Sequence, residues 1–211
     1  MIGCIIQARM GSSRLPGKVM MELNNSKSLL YYVIKQHQFC NEIDKIVVAT
    51  TDQKNDDIIE NYVNKLGIEC YRGDSINVLD RFYQCAKKYS FPTIVRITAD
   101  NPFNDPTIVD SVIKKFKSNN FDYITNSKPR TFPQGISVEV FSFKTLEIAW
   151  NNAKLPSEKN MLHHTCIIIQ KISKSIIILR VIIYHIYVGR LIEKMIMNYQ
   201  KILHQRFKNF P

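Results

Sequence analysis

Along residues 1–158, short β-branched and apolar runs alternate with longer stretches whose apolar positions recur every three or four residues. Gly3 to Gln7 reads as a buried strand, and Leu29 to Phe39 has helical apolar spacing. Lys45 to Thr50 is a second strand, followed by an amphipathic helix from Asp56 to Leu66 that Gly67 closes. Ile68 to Tyr71 is a short strand. Val78 to Tyr89 is helical, with Val78, Phe82, Cys85 and Tyr89 on one face. Thr93 to Ile97 reads as a strand, and Pro106 to Phe116 as a helix with Asp105 at its N-cap. Tyr123 to Thr125 is another strand. Ser137 to Phe141 alternates like a strand with one open face, and Lys144 to Asn152 is helical.

Strands that alternate with helices in this way predict βαβ units, hence an α/β fold with a mainly parallel sheet. In such folds the ligand crevice lies at the carboxyl ends of the strands. Functional side chains are therefore expected in the segments directly after strands.

Composition adds that the 211 residues, 45% hydrophobic and 22% charged, suit one globular domain. Disordered, collagen-like and disulfide-stapled chains are excluded. The net charge of +11 would suggest nucleic acid or an anionic membrane as partner. Its distribution argues against both. Residues 1–158 carry 20 Lys/Arg against 17 Asp/Glu, whereas residues 159–211 carry nine against one. The body is nearly neutral and shows no basic–aromatic stripe, so no nucleic-acid partner is expected. The Ile-rich stretch from Ile167 to Val188 is interrupted by Lys171, Lys174, Arg180 and His185. No run approaches the ~20 apolar residues a membrane span needs. Five scattered Cys without a C-x-x-C pair, and no secretory signal, read as reduced thiols of a cytoplasmic protein.

The chemistry concentrates in the loop after the first strand, Gln7-Ala8-Arg9-Met10-Gly11-Ser12-Ser13-Arg14-Leu15-Pro16-Gly17-Lys18. Three cations, two glycines and two hydroxyls suit a polyphosphate, because glycines let backbone N–H groups turn toward an anion that Arg and Lys neutralise. Five residues separate Gly11 from Gly17, and Val19 stands where a Walker loop has Ser or Thr. A G-x-G-x-x-G is also absent, which argues against a dinucleotide site. Composition alone leaves a solvated basic loop open.

The full string resembles the A-R-x-x-S-x-R-L-P-G-K signature of the sugar cytidylyltransferases, such as the 3-deoxy-manno-octulosonate and acylneuraminate enzymes. Read with R-I-T-A-D-N-P and R-T-F-P-x-G, the chain is most similar to the spore coat polysaccharide biosynthesis protein F branch. The likeness runs from Ile5 to about Glu158. It implies a three-layer, nucleotide-diphospho-sugar transferase-like fold and transfer of CMP from CTP to a small acidic sugar. Carried over residue by residue, Arg9, Arg14 and Lys18 would clamp the triphosphate. Ala8, Gly11, Ser12 and Ser13 would complete the nucleotide loop, and Arg81 would face the nucleotide. Asp100 would bind Mg²⁺, with Arg14, Lys18 and Asp100 as the catalytic set. Arg130 and Gln134 would face the sugar, although Gln134 and Ser137 stand where relatives often carry acidic residues. Relatives often form homodimers through late segments, an expectation that the end of this chain does not support.

That end departs from the family near Glu158. Relatives continue with Glu-His-Val-Thr-Pro-Tyr and later Arg-Trp-Thr-Val/Ile-Asp. Joining the third base of each codon to the first two of the next makes both motifs permissible. Asn160 to Cys166 then allows His-Val-Thr-Pro-Tyr-Met-Tyr, and Tyr187 to Tyr199 allows a string beginning Arg-Trp-Thr-Ile-Asp. One offset serves both, and Glu158-Lys159-Asn160 is compatible with an A tract. The expectation is a nucleotidyltransferase domain over 1–158 and an out-of-frame tail over 159–211, without the late Asp that adds metal ligation in relatives. Two other classes stay open. A glycosyltransferase using a nucleotide-sugar donor would want an Asp-x-Asp pair, where this chain has Asp100-Asn101-Pro102. A non-catalytic nucleotide-binding remnant would bind without turnover.

Overall fold

A computed structural model describes residues 1–12, 15–24, 27–118, 121–127 and 135–160. The expected Arg14, Ser13, Arg130 and Gln134 roles and the tail from residue 161 lie outside the described residues. In chain order, β1 (Ile2–Gln7) leads through a 3₁₀ turn at Lys18–Met20 to a small hairpin, β2 (Glu22–Asn24) and β3 (Lys27–Ser28), and then to α1 (Leu29–Gln38). Next come β4 (Lys45–Thr51), α2 (Asp57–Lys65), β5 (Glu69–Gly73), α3 (Val78–Lys88) and β6 (Thr93–Thr98). The rest is α4 (Pro106–Ser118), β7 (Tyr123–Thr125), β8 (Glu139–Ser142), α5 (Phe143–Asn152) and α6 (Pro156–Asn160).

The main sheet has six strands in the order β5-β4-β1-β6-β8-β7. The first four are parallel, and β8 runs antiparallel to both β6 and β7. β1 and β6 lie at the centre, which is why Ile2 to Ile6 read as a nearly continuous apolar run. Alternation divides their side chains between two layers. Cys4, Ile6, Val48, Val95 and Ile97 pack with Val33 and Ile34 of α1, Ile59 and Val63 of α2, and Val112 and Ile113 of α4. Ile5, Val47, Ala49, Ile94 and Phe141 pack on the other face with Phe82 and Cys85 of α3 and Leu146 of α5. Helices on both faces of a mainly parallel sheet are the architecture expected from the alternation.

Local signals set the element ends. Asp105 Oδ1 accepts from the Thr107 backbone N–H at 2.7 Å and opens α4. Ser28 and Ser142 accept from the N–H groups of Tyr31 and Thr145 at the starts of α1 and α5. The hairpin of β2 and β3 was not expected, because strands of two and three residues carry no readable period.

One strand differs from expectation. Ser137 to Phe141 was read as having an open face, but Glu139 is 5% exposed. β8 is inserted between β6 and β7, and Arg96 of β6 takes the Glu139 carboxylate. The polar position in the alternation therefore faces an ion-pair partner.

His37, 1% exposed on α1, donates Nδ1–H to the Val33 carbonyl at 2.7 Å, leaving Nε2 buried without a partner among the described residues. Burial pulls its pKa below the usual value, outweighing the opposite effect of the Val33 bond. The unfolded chain therefore takes up the proton first on acidification, and stability held above pH ~6.5 is lost below it. Thermal denaturation at pH 7.5 and 5.5 should show a larger fall in Tm for the wild type than for His37→Gln. Equal falls would remove His37 as the cause.

Candidate active site

The carboxyl ends of β1, β4 and β6 share one edge of the sheet, so the segments after them meet there. The sheet ladder runs one residue past β1 on both sides: Ala8 N–H donates to Ala49 and Ala99 N–H to Gln7, at 3.1 and 2.9 Å. The loop after Ala8 then closes on its own backbone. The Met10 carbonyl accepts from both Ser12 and Gly17 N–H groups at 2.9 Å. Gly17 has φ +73°, a left-handed conformation that an L side chain disfavours, and it turns the chain into the 3₁₀ segment that starts at Lys18. Buried Val19 anchors that segment in the core.

A buried carboxylate fixes the loop from below. Asp56, 2% exposed, accepts from the Met10 N–H at 2.7 Å and from the Thr51 N–H at 3.2 Å, and also takes the Thr51 hydroxyl. It ties the loop after β1 to the end of β4. Nothing in the sequence distinguishes Asp56 from Asp57 beside it; only the fold shows which faces inward. Asp56→Ala leaves two buried N–H groups unpaired and should lower the unfolding free energy by about 1–3 kcal/mol. Urea denaturation checks this, and an unchanged midpoint would contradict the clamp.

These constraints shape a cleft of about 230 Å³. Gln7, Arg9, Ser12 and Lys18 come from β1 and its loop, and Arg96, Thr98 and Asp100 from β6 and the turn after it. Lys18 Nζ pairs directly with Asp100 Oδ2, although the two are 82 residues apart in sequence. Burial alone would raise the Asp100 pKa, but hydrogen bonds from Lys18 and Thr98 outweigh it and hold the carboxyl below its usual range. Asp100 is thus ionised at neutral pH. It also does not cap a helix; the turn that carries it is closed by Asn101 N–H on the Thr98 carbonyl at 3.1 Å.

Four of the expected site residues, Arg9, Ser12, Lys18 and Asp100, are brought together in this cleft. Ala8 is buried and is not among the residues lining the cleft, and Gly11 keeps a φ open to any residue, with free space where a Cβ would sit. Arg81 is placed differently. It is 0% exposed on α3 and is not among the residues lining the cleft. Nη1 donates to the Asp74 carbonyl at 2.8 Å, while Nε and Nη2 have no partner among the described residues. Burial, and then the nearby Arg9 charge, lower its pKa. A Cβ on Gly73 would come within 3.0 Å of Arg81 Cγ, so the glycine is what permits this close approach. Arg72, on β5, is occupied structurally by Glu60 at 2.8 Å and by Asp57. The residues that sequence reasoning missed are Gln7, Arg96 and Glu139. Arg96 lies inside a quoted motif, but a mid-strand Arg carries no signal of which face it takes.

An α/β sheet flanked by helices, with a basic loop and an ionised Asp after its central strands, places the chain among α/β proteins whose strand ends present a site suited to anions. Comparison with known proteins is consistent with that class. The cytidylyltransferase family model matches residues 3–210, and the chain belongs to that family. It is 42% identical over 150 residues to an uncharacterized protein of Methanocaldococcus jannaschii, covering 71% of this chain and 60% of that one. It is 39% identical over 147 residues to the spore coat polysaccharide biosynthesis protein SpsF of Bacillus subtilis, covering 67% and 59%. The chain therefore spans about three fifths of the length of these curated relatives. Among solved structures, a cytidylyltransferase from Leptospira borgpetersenii superposes with a TM-score of 0.76 at 31% identity, over 82% of this chain and 72% of that one. The fold is that of the nucleotide-diphospho-sugar transferases. No helix of the described residues is long and apolar enough to cross a membrane.

Proposed function

We propose that this chain transfers CMP from CTP to an acidic sugar, releasing pyrophosphate, in the synthesis of a surface polysaccharide or glycan. The observation that carries the reading is the Lys18–Asp100 pair beside Arg9 and Ser12, in one cleft at the carboxyl ends of β1 and β6. Family membership supports CTP as the nucleotide, and the name of the Bacillus relative supports polysaccharide synthesis.

In this reading a sugar hydroxyl attacks the α-phosphorus in line. The bond to the bridging oxygen breaks, and pyrophosphate departs. Charge spreads over phosphate oxygens, so the work is positioning and electrostatic stabilisation. Lys18 exchanges Asp100 for phosphate oxygens, and Arg9 neutralises the same group, with Arg14 as the third cation of the loop. Asp100 fits a role toward Mg²⁺, which needs only one or two protein carboxylates when phosphates and water complete its octahedron. Among the described residues no group of three or more His, Cys, Asp or Glu side chains could hold a metal ion. Bound at Asp100, Mg²⁺ supplies further neutralisation of the phosphate oxygens.

We read residues 159–211 as out of frame, leaving the chemistry in 1–158. The one-offset recovery of both late motifs supports this; the family match itself runs to residue 210. Two experiments test the function and the frame. Pyrophosphate release from CTP should require both a sugar acid and a divalent cation, and hydrolysis of a nucleotide sugar without pyrophosphate release would overturn the reading in favour of a glycosyltransferase. Sequencing the coding DNA across Glu158 to Asn160 from independent isolates should reveal a missing base, or a true shift whose repair raises turnover. If the repaired chain binds CTP yet turns over nothing, it is a non-catalytic remnant.

A further inference from the structure

Arg96 and Glu139 put a charged pair on neighbouring strands of the main sheet, in a cross-strand row that begins at Glu69 on the β5 edge. From there the row runs Val47, Ile5, Arg96, Glu139, Thr125, and Val47 and Ile5 pack in the core beneath α3. Taking an ion pair out of water costs several kcal/mol per ion, and an apolar pair of similar volume stabilises a fold as well or better. Stability therefore does not explain why these charges occupy central strands.

Their geometry points to a use in the cleft. Arg96 Nη1 donates to Glu139 Oε1 at 2.6 Å, end-on, and Nη2 lies 3.5 Å from Gln7 Oε1. Arg96 Nε and Glu139 Oε2 are buried and have no partner among the described residues. The Glu139 side chain is 7% exposed and that of Arg96 is 16% exposed, and Arg96 is the member of the pair that lines the cleft. The Glu139 carboxylate thus takes Nη1, Gln7 lies at the limit of hydrogen-bond distance from Nη2, and Arg96 borders the cleft. Each terminal nitrogen of a guanidinium carries two N–H groups, so one on each remains to bind an oxyanion in the cleft.

The position separates this guanidinium from the triphosphate cations. Arg9 and Lys18 come from the loop after β1, whereas Arg96 sits within β6, next to β8 and away from β4. In the chain, β8 follows the segment that contains Arg130 and Gln134. Because Glu139 already offsets the guanidinium charge, the site favours a directional, singly charged partner over a further phosphate. We propose that Arg96, oriented by Glu139 and Gln7, selects the acceptor by binding the carboxylate of an acidic sugar. This inference rests on the nucleotidyl-transfer reading and names the residue that determines its acceptor class.

The test uses the 211-residue chain without divalent metal, so that no turnover intervenes. The probes are 3-deoxy-manno-octulosonate, N-acetylneuraminate and the carboxamide of each, titrated by calorimetry with and without CTP. The wild type should bind at least one acid about tenfold or more tightly than its carboxamide, as a charge-assisted bond implies. Arg96→Gln should abolish that preference, lowering acid affinity about 10–100-fold while carboxamide and CTP affinities hold. Arg96→Lys should restore part of it. Because Arg96→Gln strands the Glu139 carboxylate, the paired replacement R96M/E139Q is made alongside and should lose the preference equally. The proposal is overturned if the preference survives in the variants, if the wild type shows none, or if CTP affinity falls in parallel. Failure of wild-type CTP binding would instead remove the nucleotidyltransferase reading, while the titrations without CTP still decide the role of Arg96.

Discussion

Replacing Lys18 with Ala should weaken CTP binding by about 10²-fold, the loss expected from one or two charge-assisted hydrogen bonds to phosphate. Two effects add in the same direction. The ammonium no longer reaches the triphosphate, and Asp100, which pairs with Lys18, loses its counter-ion beside it. Burial raises the Asp100 pKa, and without Lys18 the Thr98 hydrogen bond is left to oppose it in favour of the ionised carboxyl. Calorimetric titration of CTP checks this, with Lys18→Arg as the variant that keeps the charge. Unchanged affinity in Lys18→Ala would remove Lys18 from the nucleotide site.

Asp100→Asn should produce the opposite split. Metal-dependent turnover should fall by about 10²–10³-fold, by analogy with the loss of one preorganised electrostatic group. CTP binding without metal should hold or tighten, because Lys18 is then free of its partner. The variant is made in the native chain and in one with the downstream frame restored, and pyrophosphate release is followed against metal concentration. Retained activity would take Asp100 out of the metal site. A parallel loss of metal-free CTP binding would mark it as a structural support for Lys18.

The parts of this molecule that were legible in sequence are those governed by near neighbours. Ile2 to Ile6, Lys45 to Thr51 and Thr93 to Thr98 are strands whose composition is set by burial on both faces, and Asp105 announces α4 through its own turn. The loop from Arg9 to Lys18 was legible because its cations and glycines lie close together. What escaped depends on the packing of distant segments. The antiparallel entry of β8 between β6 and β7 is invisible in a five-residue alternation, so Glu139 read as a surface position. Asp56 and Asp57 look alike in the string, yet one is 2% exposed beneath the loop and the other faces Arg72. The burial of Arg81 required knowing that Gly73 lets α3 approach β5.

The contact between Lys18 and Asp100 also determines the kind of signal to which the proposed site responds. Each charge is the other's counter-ion, so in the proposed reading arrival of substrate would be an exchange of partners rather than an addition of charge. Phosphate alone takes the ammonium and leaves a carboxylate in its path. A cation alone takes the carboxylate and leaves an ammonium beside it. In the proposed reading only the two together would satisfy both halves at once, so the pair would work as a coincidence detector that engages the metal-bound nucleotide and disfavours either component on its own.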